Sequence, residues 1–106
     1  MVYMDLHSAM KSLGLSDKEA AVYLALLQGG QATAYQIAKR SGLKKPTVYV
    51  ILDGLIERGN VRKFMRGRGS VYTATDPVEI FVEARRRVEK AESVLPQLQA
   101  LAQSAA

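Results

Sequence analysis

Apolar positions recur along most of this chain at the three- and four-residue spacings of a helix. The first clear run follows Ser16-Asp17-Lys18-Glu19, a capping-box pattern in which the serine oxygen accepts an unpaired N–H and the glutamate reaches back. Val22, Leu24, Leu26 and Leu27 come next, and Gln28-Gly29-Gly30 ends the element. Thr33-Ala34-Tyr35-Gln36 repeats the pattern before a short helix carrying Ile37 and Ala38. Ser41-Gly42-Leu43 reads as a tight turn. A further helix is predicted from Lys45-Pro46-Thr47 to about Arg58, closed by Gly59, with Val48, Ile51, Leu52, Leu55 and Ile56 on its inner stripe. An earlier, weaker helix covers Asp5 to Leu13 and ends at Gly14.

The period then changes. Asn60 to Arg66 and Ser70 to Thr75 read as two strands around Gly67-Arg68-Gly69, where both glycines are expected to supply positive φ angles. Val61 and Phe64 have opposite parity, which predicts a twisted or bulged ribbon. Asp76-Pro77-Val78-Glu79 is a third capping pattern, with proline opening the last helix. Phe81, Ala84, Val88, Ala91, Leu95, Leu98, Ala102 and Ala105 then follow the alternating three-four spacing of a coiled-coil seam. Pro96 removes one backbone hydrogen bond, so a kink or a break into two helices is expected near Glu92 to Pro96.

The fold class is therefore mainly α with a small β-hairpin wing: a winged helix-turn-helix plus a long C-terminal coiled-coil-like helix. Residues 1–76 are assigned to the winged helix with its N-terminal helix, and 77–106 to a dimerisation element. The 106 residues suit one compact domain, and 48% hydrophobic with 24% charged residues is a globular balance. The longest apolar stretch, Ala20 to Leu27, is far short of a membrane span. No signal-peptide pattern is visible, so a cytoplasmic location is expected, nucleoid-associated if the source is prokaryotic. The absence of cysteine excludes disulfides and thiolate sites, and the single histidine, His7, offers no cluster for a metal. No nucleophile–base pair or phosphate loop has motif spacing, so no enzyme activity and no cofactor are expected. Met1, Met4, Met10 and Met65 are assigned to packing.

Charge sharpens the picture. The net +5 is concentrated between residues 39 and 68, where nine basic residues face only Asp53 and Glu57, a local balance of +7 that leaves −2 for the rest. A central cationic block suits a polyanion, most often nucleic acid, although charge alone leaves an ordinary basic surface equally open. The order helix, turn, helix, basic hairpin is that of a winged helix-turn-helix. Ala38 is small where two helices must cross, and Gly42 follows four residues later at the turn. Ile37, Leu43, Val48 and Ile51 supply the apolar contacts that fix the interhelical angle.

Several stretches resemble the TrmB family of transcriptional regulators. They are Leu13-Gly14-Leu15-Ser16, Glu19-Ala20, Val22 to Leu27, Ile37-Ala38, Ser41-Gly42-Leu43, Val48-Tyr49, Leu52, Leu55, Gly59, Tyr72, Ala74 and Asp76-Pro77. The resemblance covers roughly Leu13 to Ile80. It implies a winged-helix domain, usually dimeric, that binds DNA and represses or activates transcription. Many members add a sugar-binding domain; no effector domain is evident here, and a sugar response is not carried over. Lys44, Pro46, Asn60 and Asp53 depart from the family's usual residues.

The leading reading is a homodimeric, sequence-specific regulator of double-stranded DNA, its recognition helix at about 45–58 in the major groove and its wing at 60–75 on backbone or minor groove. Lys44 and Lys45 precede a helix amino terminus, a placement that suits a docked phosphate. Thr47 and Val50 lie opposite the inner stripe and are the candidates to reach base edges, with Pro46 adding apolar surface. Tyr49 either packs against the wing or donates to phosphate, and Tyr35 can touch the backbone, while Gln36 is a cap. Arg62, Lys63, Arg66 and Arg68 form the wing set, with Arg68 placed to enter a minor groove. Phe81, Ala84, Val88, Ala91, Leu95 and Leu98 form the dimer seam. Arg85-Arg86-Arg87 is assigned to an ion-paired face, with Glu83 and Arg87 a favourable pair, and His7 to surface or interface packing with no visible partner. The alternative reading is a protein-interaction or nonspecific DNA-binding module of the transcription machinery.

Overall fold

Two capping boxes start the body of the molecule. In the computed structural model, which describes residues 5–105, the Ser16 hydroxyl accepts from the Glu19 N–H at 3.1 Å and the Glu19 carboxylate accepts from the Ser16 N–H at 2.8 Å. Thr33 and Gln36 make the same reciprocal pair. These open α2 (Asp17–Gly29) and α3 (Ala34–Ser41), preceded by α1 (Leu6–Ser12) with Asp5 as its cap. Gly42, at φ 76, ends α3 in the left-handed region and turns the chain into α4 (Lys45–Glu57). Two strands, β1 (Val61–Arg66) and β2 (Gly69–Ala74), and two helices, α5 (Val78–Glu92) and α6 (Leu95–Ala105), complete the order.

The core lies where α2, α3, α4 and the root of the hairpin meet. Tyr23, Leu26, Ile37, Val48, Leu52, Leu55 and Val61 are buried there, with Ile51 and Ile56 packed at its edge. Met10 belongs to this core, whereas Met65 is 72% exposed on the wing, so its packing assignment fails; Met1 and Met4 lie outside the described residues.

The hairpin is more regular than its sequence suggests. Register runs from Val61↔Ala74 to Arg66↔Gly69 without a bulge. Opposite parity places Val61 in the core and Phe64 on the outer face, so no irregularity is needed to accommodate both. The turn has two residues, Gly67-Arg68, and only Gly67 adopts positive φ; Gly69 is already in strand. Ala32 exchanges two backbone hydrogen bonds with Tyr72 and ties the α2–α3 loop to the wing.

Asp76 caps the last segment differently from a capping box. Its carboxylate accepts from the Val78 N–H at 2.9 Å, and Pro77 precedes the helix instead of occupying its first position. The expected break is present: α5 stops at Glu92, the residue whose carbonyl a proline at 96 can neither bond nor clear, and α6 resumes at Leu95. Of α5 only Ile80 is buried, and α6 buries nothing, so α6 does not fold back onto the core. The 28 residues from Val78 to Ala105 would reach about 42 Å at 1.5 Å per residue, and they account for much of a long axis of 61 Å in a molecule only 24 Å thick. No helix among the described residues is long and apolar enough to cross a membrane.

Long-range polar contacts fasten these parts. Arg58, the C-cap of α4, donates to Glu19 at 3.0 Å and lies 3.9 Å from Glu83 on α5. Arg87 donates to the Leu13 carbonyl at 2.6 Å, and its guanidinium lies where a side chain on Gly14 would stand. The local Glu83–Arg87 pair is therefore not formed, and no ion pair joins Arg85, Arg86 or Arg87 to a glutamate among the described residues. Glu83 and Arg87 instead meet partners across the fold, Arg58 and the Leu13 carbonyl. His7 also has a partner after all, Asp17 at 3.1 Å, a carboxylate that Lys11 reaches at the same distance.

Candidate nucleic-acid interface

Helix α4 differs from its neighbours at its amino end. Asp5, Ser16 and Thr33 each cap a helix with a side-chain oxygen, but Lys44 stands at the cap position of α4 and makes no such bond. Pro46 carries no N–H, so the Lys45 and Thr47 N–H groups of the first turn are left for an outside acceptor, beside the positive end of the helix dipole. Lys44, Lys45 and Pro46 are exposed around that end. Along the outward face Val50 is 71% exposed, while Thr47 is half-buried. A valine side chain held this far into solvent by a rigid, well-packed helix is available for contact.

Two lysines are held over aromatic rings. Lys45 Nζ lies 5.9 Å from the Tyr49 ring centre and Lys39 Nζ 4.9 Å from that of Tyr35, each pair one helical turn apart. Tyr49 and Tyr35 are both substantially exposed. Lys39 was visible in the sequence only as part of the basic block; its four-residue spacing from Tyr35 is the signal that pairs it with the interface.

Between the start of α3, the outer side of α4 and the wing runs an open cleft of about 550 Å³. Tyr35, Lys45, Tyr49, Asp53, Lys63 and Arg68 line it, with Ser70 and Tyr72 from β2. Burial raises the Tyr72 phenol above its ordinary value, and the negative fields of Tyr49 and Asp53 add to the effect. Strand alternation divides the wing. Val61, Lys63 and Met65 share one parity and Arg62, Phe64 and Arg66 the other, with Lys63 opposite Tyr72 and Phe64 opposite Val71. Arg62 and Phe64 line a separate groove of about 440 Å³ with Thr73, Asp76 and Glu79. The structure thus gathers Tyr35, Lys45, Tyr49, Lys63 and Arg68 around one cleft, and sets Arg62 on the far side of the ribbon.

Not every cation of the central block is free to act. Arg40 donates to the Gly30 carbonyl at 3.1 Å, folding over the end of α2, and Arg58 is engaged with Glu19. The remaining seven basic residues of the block, Lys39, Lys44, Lys45, Arg62, Lys63, Arg66 and Arg68, are exposed and form no ion pair among the described residues. The seam residues are uncovered as well: Phe81, Val88, Leu95 and Leu98 are 44%, 57%, 47% and 55% exposed, Ala91 is exposed and Ala84 half-buried.

Comparison with known proteins adds the family. The family described as sugar-specific transcriptional regulator TrmB matches residues 10–78. An uncharacterised Bacillus subtilis protein, YrhO, is 32% identical over 81 residues, which are 76% of this chain and 29% of that protein. Among solved structures, a possible transcriptional regulator from Methanosarcina mazei superposes with a TM-score of 0.74 at 15% identity, over 92% of this chain and 88% of that one. TrmBL2, an archaeal chromatin protein described for a novel mode of DNA binding, superposes with a TM-score of 0.71 at 22% identity, over 93% of this chain and 38% of its own. At such identities the structural likeness establishes the winged-helix fold. The chain spans well under half the length of YrhO and of TrmBL2.

Proposed function

Since the chain belongs to the TrmB family of transcriptional regulators, whose family and fold are those of DNA-binding regulators and not of enzymes, we propose that it binds double-stranded DNA as a homodimer and regulates transcription. Helix α4 enters the major groove, with Val50 and Thr47 toward base edges. Lys44, Lys45 and the uncapped amino end of α4 hold a phosphate. Lys63 and Arg68 bring the wing onto the adjoining backbone or minor groove. Residues 1–76 act as the DNA-binding unit, and 77–106 join two copies through Phe81, Ala84, Val88, Ala91, Leu95 and Leu98. The working location is the cytoplasm, on the nucleoid in a prokaryote.

One observation carries this reading: the most exposed large hydrophobic residue of α4, Val50, projects from a helix whose amino end is rimmed by lysines and lacks a side-chain cap. Affinity depends steeply on salt, because each phosphate neutralised contributes a slope of about −0.9 in log K against log salt. Two-fold symmetry then sets half-sites about 34–36 Å apart. Random-site selection on duplex DNA, followed by mass measurement of the complex, tests motif, symmetry and copy number together. Lys45→Ala weakens binding to every sequence, and Thr47→Ala mainly relaxes base preference. If both leave affinity and preference unchanged in folded protein, α4 does not lie in the groove. A selection that enriches no sequence favours the nonspecific or protein-interaction alternative.

A further inference from the structure

Asp53 is the one acidic side chain lining the cleft between α4 and the wing. It is exposed, and it makes no hydrogen bond or ion pair among the described residues, although Lys45, Lys63 and Arg68 line the same cleft. It stands one turn beyond Tyr49 and Val50, between the outward ridge of α4 and the wing. The fold does not use it: α4 is held by Val48, Leu52 and Leu55 on its other side. A carboxylate in this position repels every phosphate, so it opposes the attraction its neighbours exert.

Groove chemistry supplies the reason for such a group. An ionised carboxylate only accepts hydrogen bonds. Major-groove edges offer mostly acceptors, namely guanine N7 and O6, adenine N7 and thymine O4; the only donors are the cytosine N4 and adenine N6 amines. On adenine the amine adjoins N7, which repels the second carboxylate oxygen. On cytosine it adjoins a C–H. We propose that Asp53 is a specificity-determining residue of α4, accepting a hydrogen bond from cytosine N4 and excluding other bases from that position. This rests on α4 lying in the major groove, and it adds a repulsive element that discriminates between sequences where the lysines cannot.

The test starts from the site selected by the wild-type chain. A cytosine should recur at one position of each half-site, and changing that C·G pair to T·A should weaken wild-type binding by about 5- to 150-fold, the range of a single base contact. Asp53→Ala should bind the two sites equally while keeping the wild-type preferences elsewhere. Asp53→Asn, nearly the same shape without the charge, should lose most of the penalty against thymine. The proposal is overturned if the motif contains no such cytosine, or if Asp53→Ala tightens binding to all sequences alike, which would make the carboxylate only an electrostatic brake. It is equally overturned if the penalty against T·A at that position persists in the alanine variant. Wild-type binding with sequence preference but no Asp53 effect sinks this inference alone; absence of any wild-type duplex binding sinks the reading beneath it. Matching thermal unfolding of the variants confirms that they are folded.

Discussion

Tyr23→Phe removes a single oxygen from the point where the wing is tied to the helical body. Tyr23 is wholly buried in α2, and its hydroxyl donates to the Thr75 carbonyl at 2.8 Å. Thr75 in turn donates through Oγ1 to the Gly59 carbonyl and through its N–H to the Asn60 carbonyl. Burial, with the Asp76 charge adding, pushes the Tyr23 phenol up from 10.0 to about 12. At neutral pH the variant loses one hydrogen bond and leaves a half-buried carbonyl unpaired, a cost of about 1–2 kcal/mol. The alkaline behaviour is the sharper test. A phenol whose folded value is raised contributes stability that is intact below pH 10 and lost as pH rises through 12. A rise from 10.0 to about 12 corresponds to a loss of about 3 kcal/mol once pH passes 12, which the phenylalanine variant cannot suffer. Urea unfolding followed by circular dichroism at pH 7, 9, 10.5 and 11.5 should show the gap between the chains narrowing above pH 10. Contributions from groups common to both proteins cancel in the difference. Parallel stability profiles from pH 9 to 11.5 would refute the argument.

Two further outcomes are expected. Gly54 lies inside α4 with ordinary helical φ and open space where a Cβ would stand; Gly54→Ala should therefore stabilise the fold by about 1 kcal/mol, raising Tm by about 4–8 °C, and a lowered Tm would contradict the open geometry. Arg58→Met should destabilise at pH 7 by about 1–2 kcal/mol, between the values for exposed and buried pairs. Burial by itself would raise the Glu19 carboxyl, yet the Ser16 hydrogen bonds and Arg58 hold it below its ordinary 4.5. Its contribution is thus present above pH 4.5 and lost as pH falls, so the difference between Arg58→Met and wild type should shrink near pH 3; a constant difference in denaturant midpoint would show that Glu19 is not the partner that matters.

What could be read from sequence alone were features whose partners lie within a few residues. Ser16 with Glu19 and Thr33 with Gln36 form because three residues of helix bring them together whatever the rest of the chain does. Gly42, Gly59 and the break before Pro96 are equally local, since each follows from the backbone angles its own residue permits. The inner stripe of α4 and the exposed ridge opposite it came from helical period. Long, flexible and doubly strand-borne side chains were not legible. Arg58 reaches Glu19 across 39 residues and Arg87 reaches Leu13 across 74, and an arginine with several acceptors in range is assigned only when the elements are docked. Nothing in the one-dimensional pattern set Arg62 apart from Lys63, because which face of a hairpin meets α4 is decided by packing at its root, where Val61 and Tyr72 are buried. The number of charges in the central block is set by composition alone; the tertiary structure decided that Arg40 and Arg58 serve the fold, that Lys45, Lys63 and Arg68 share a cleft, and that Asp53 stands unpaired among them. The physical reason is that propensity and period act over one turn of chain, whereas electrostatic partnership acts through space.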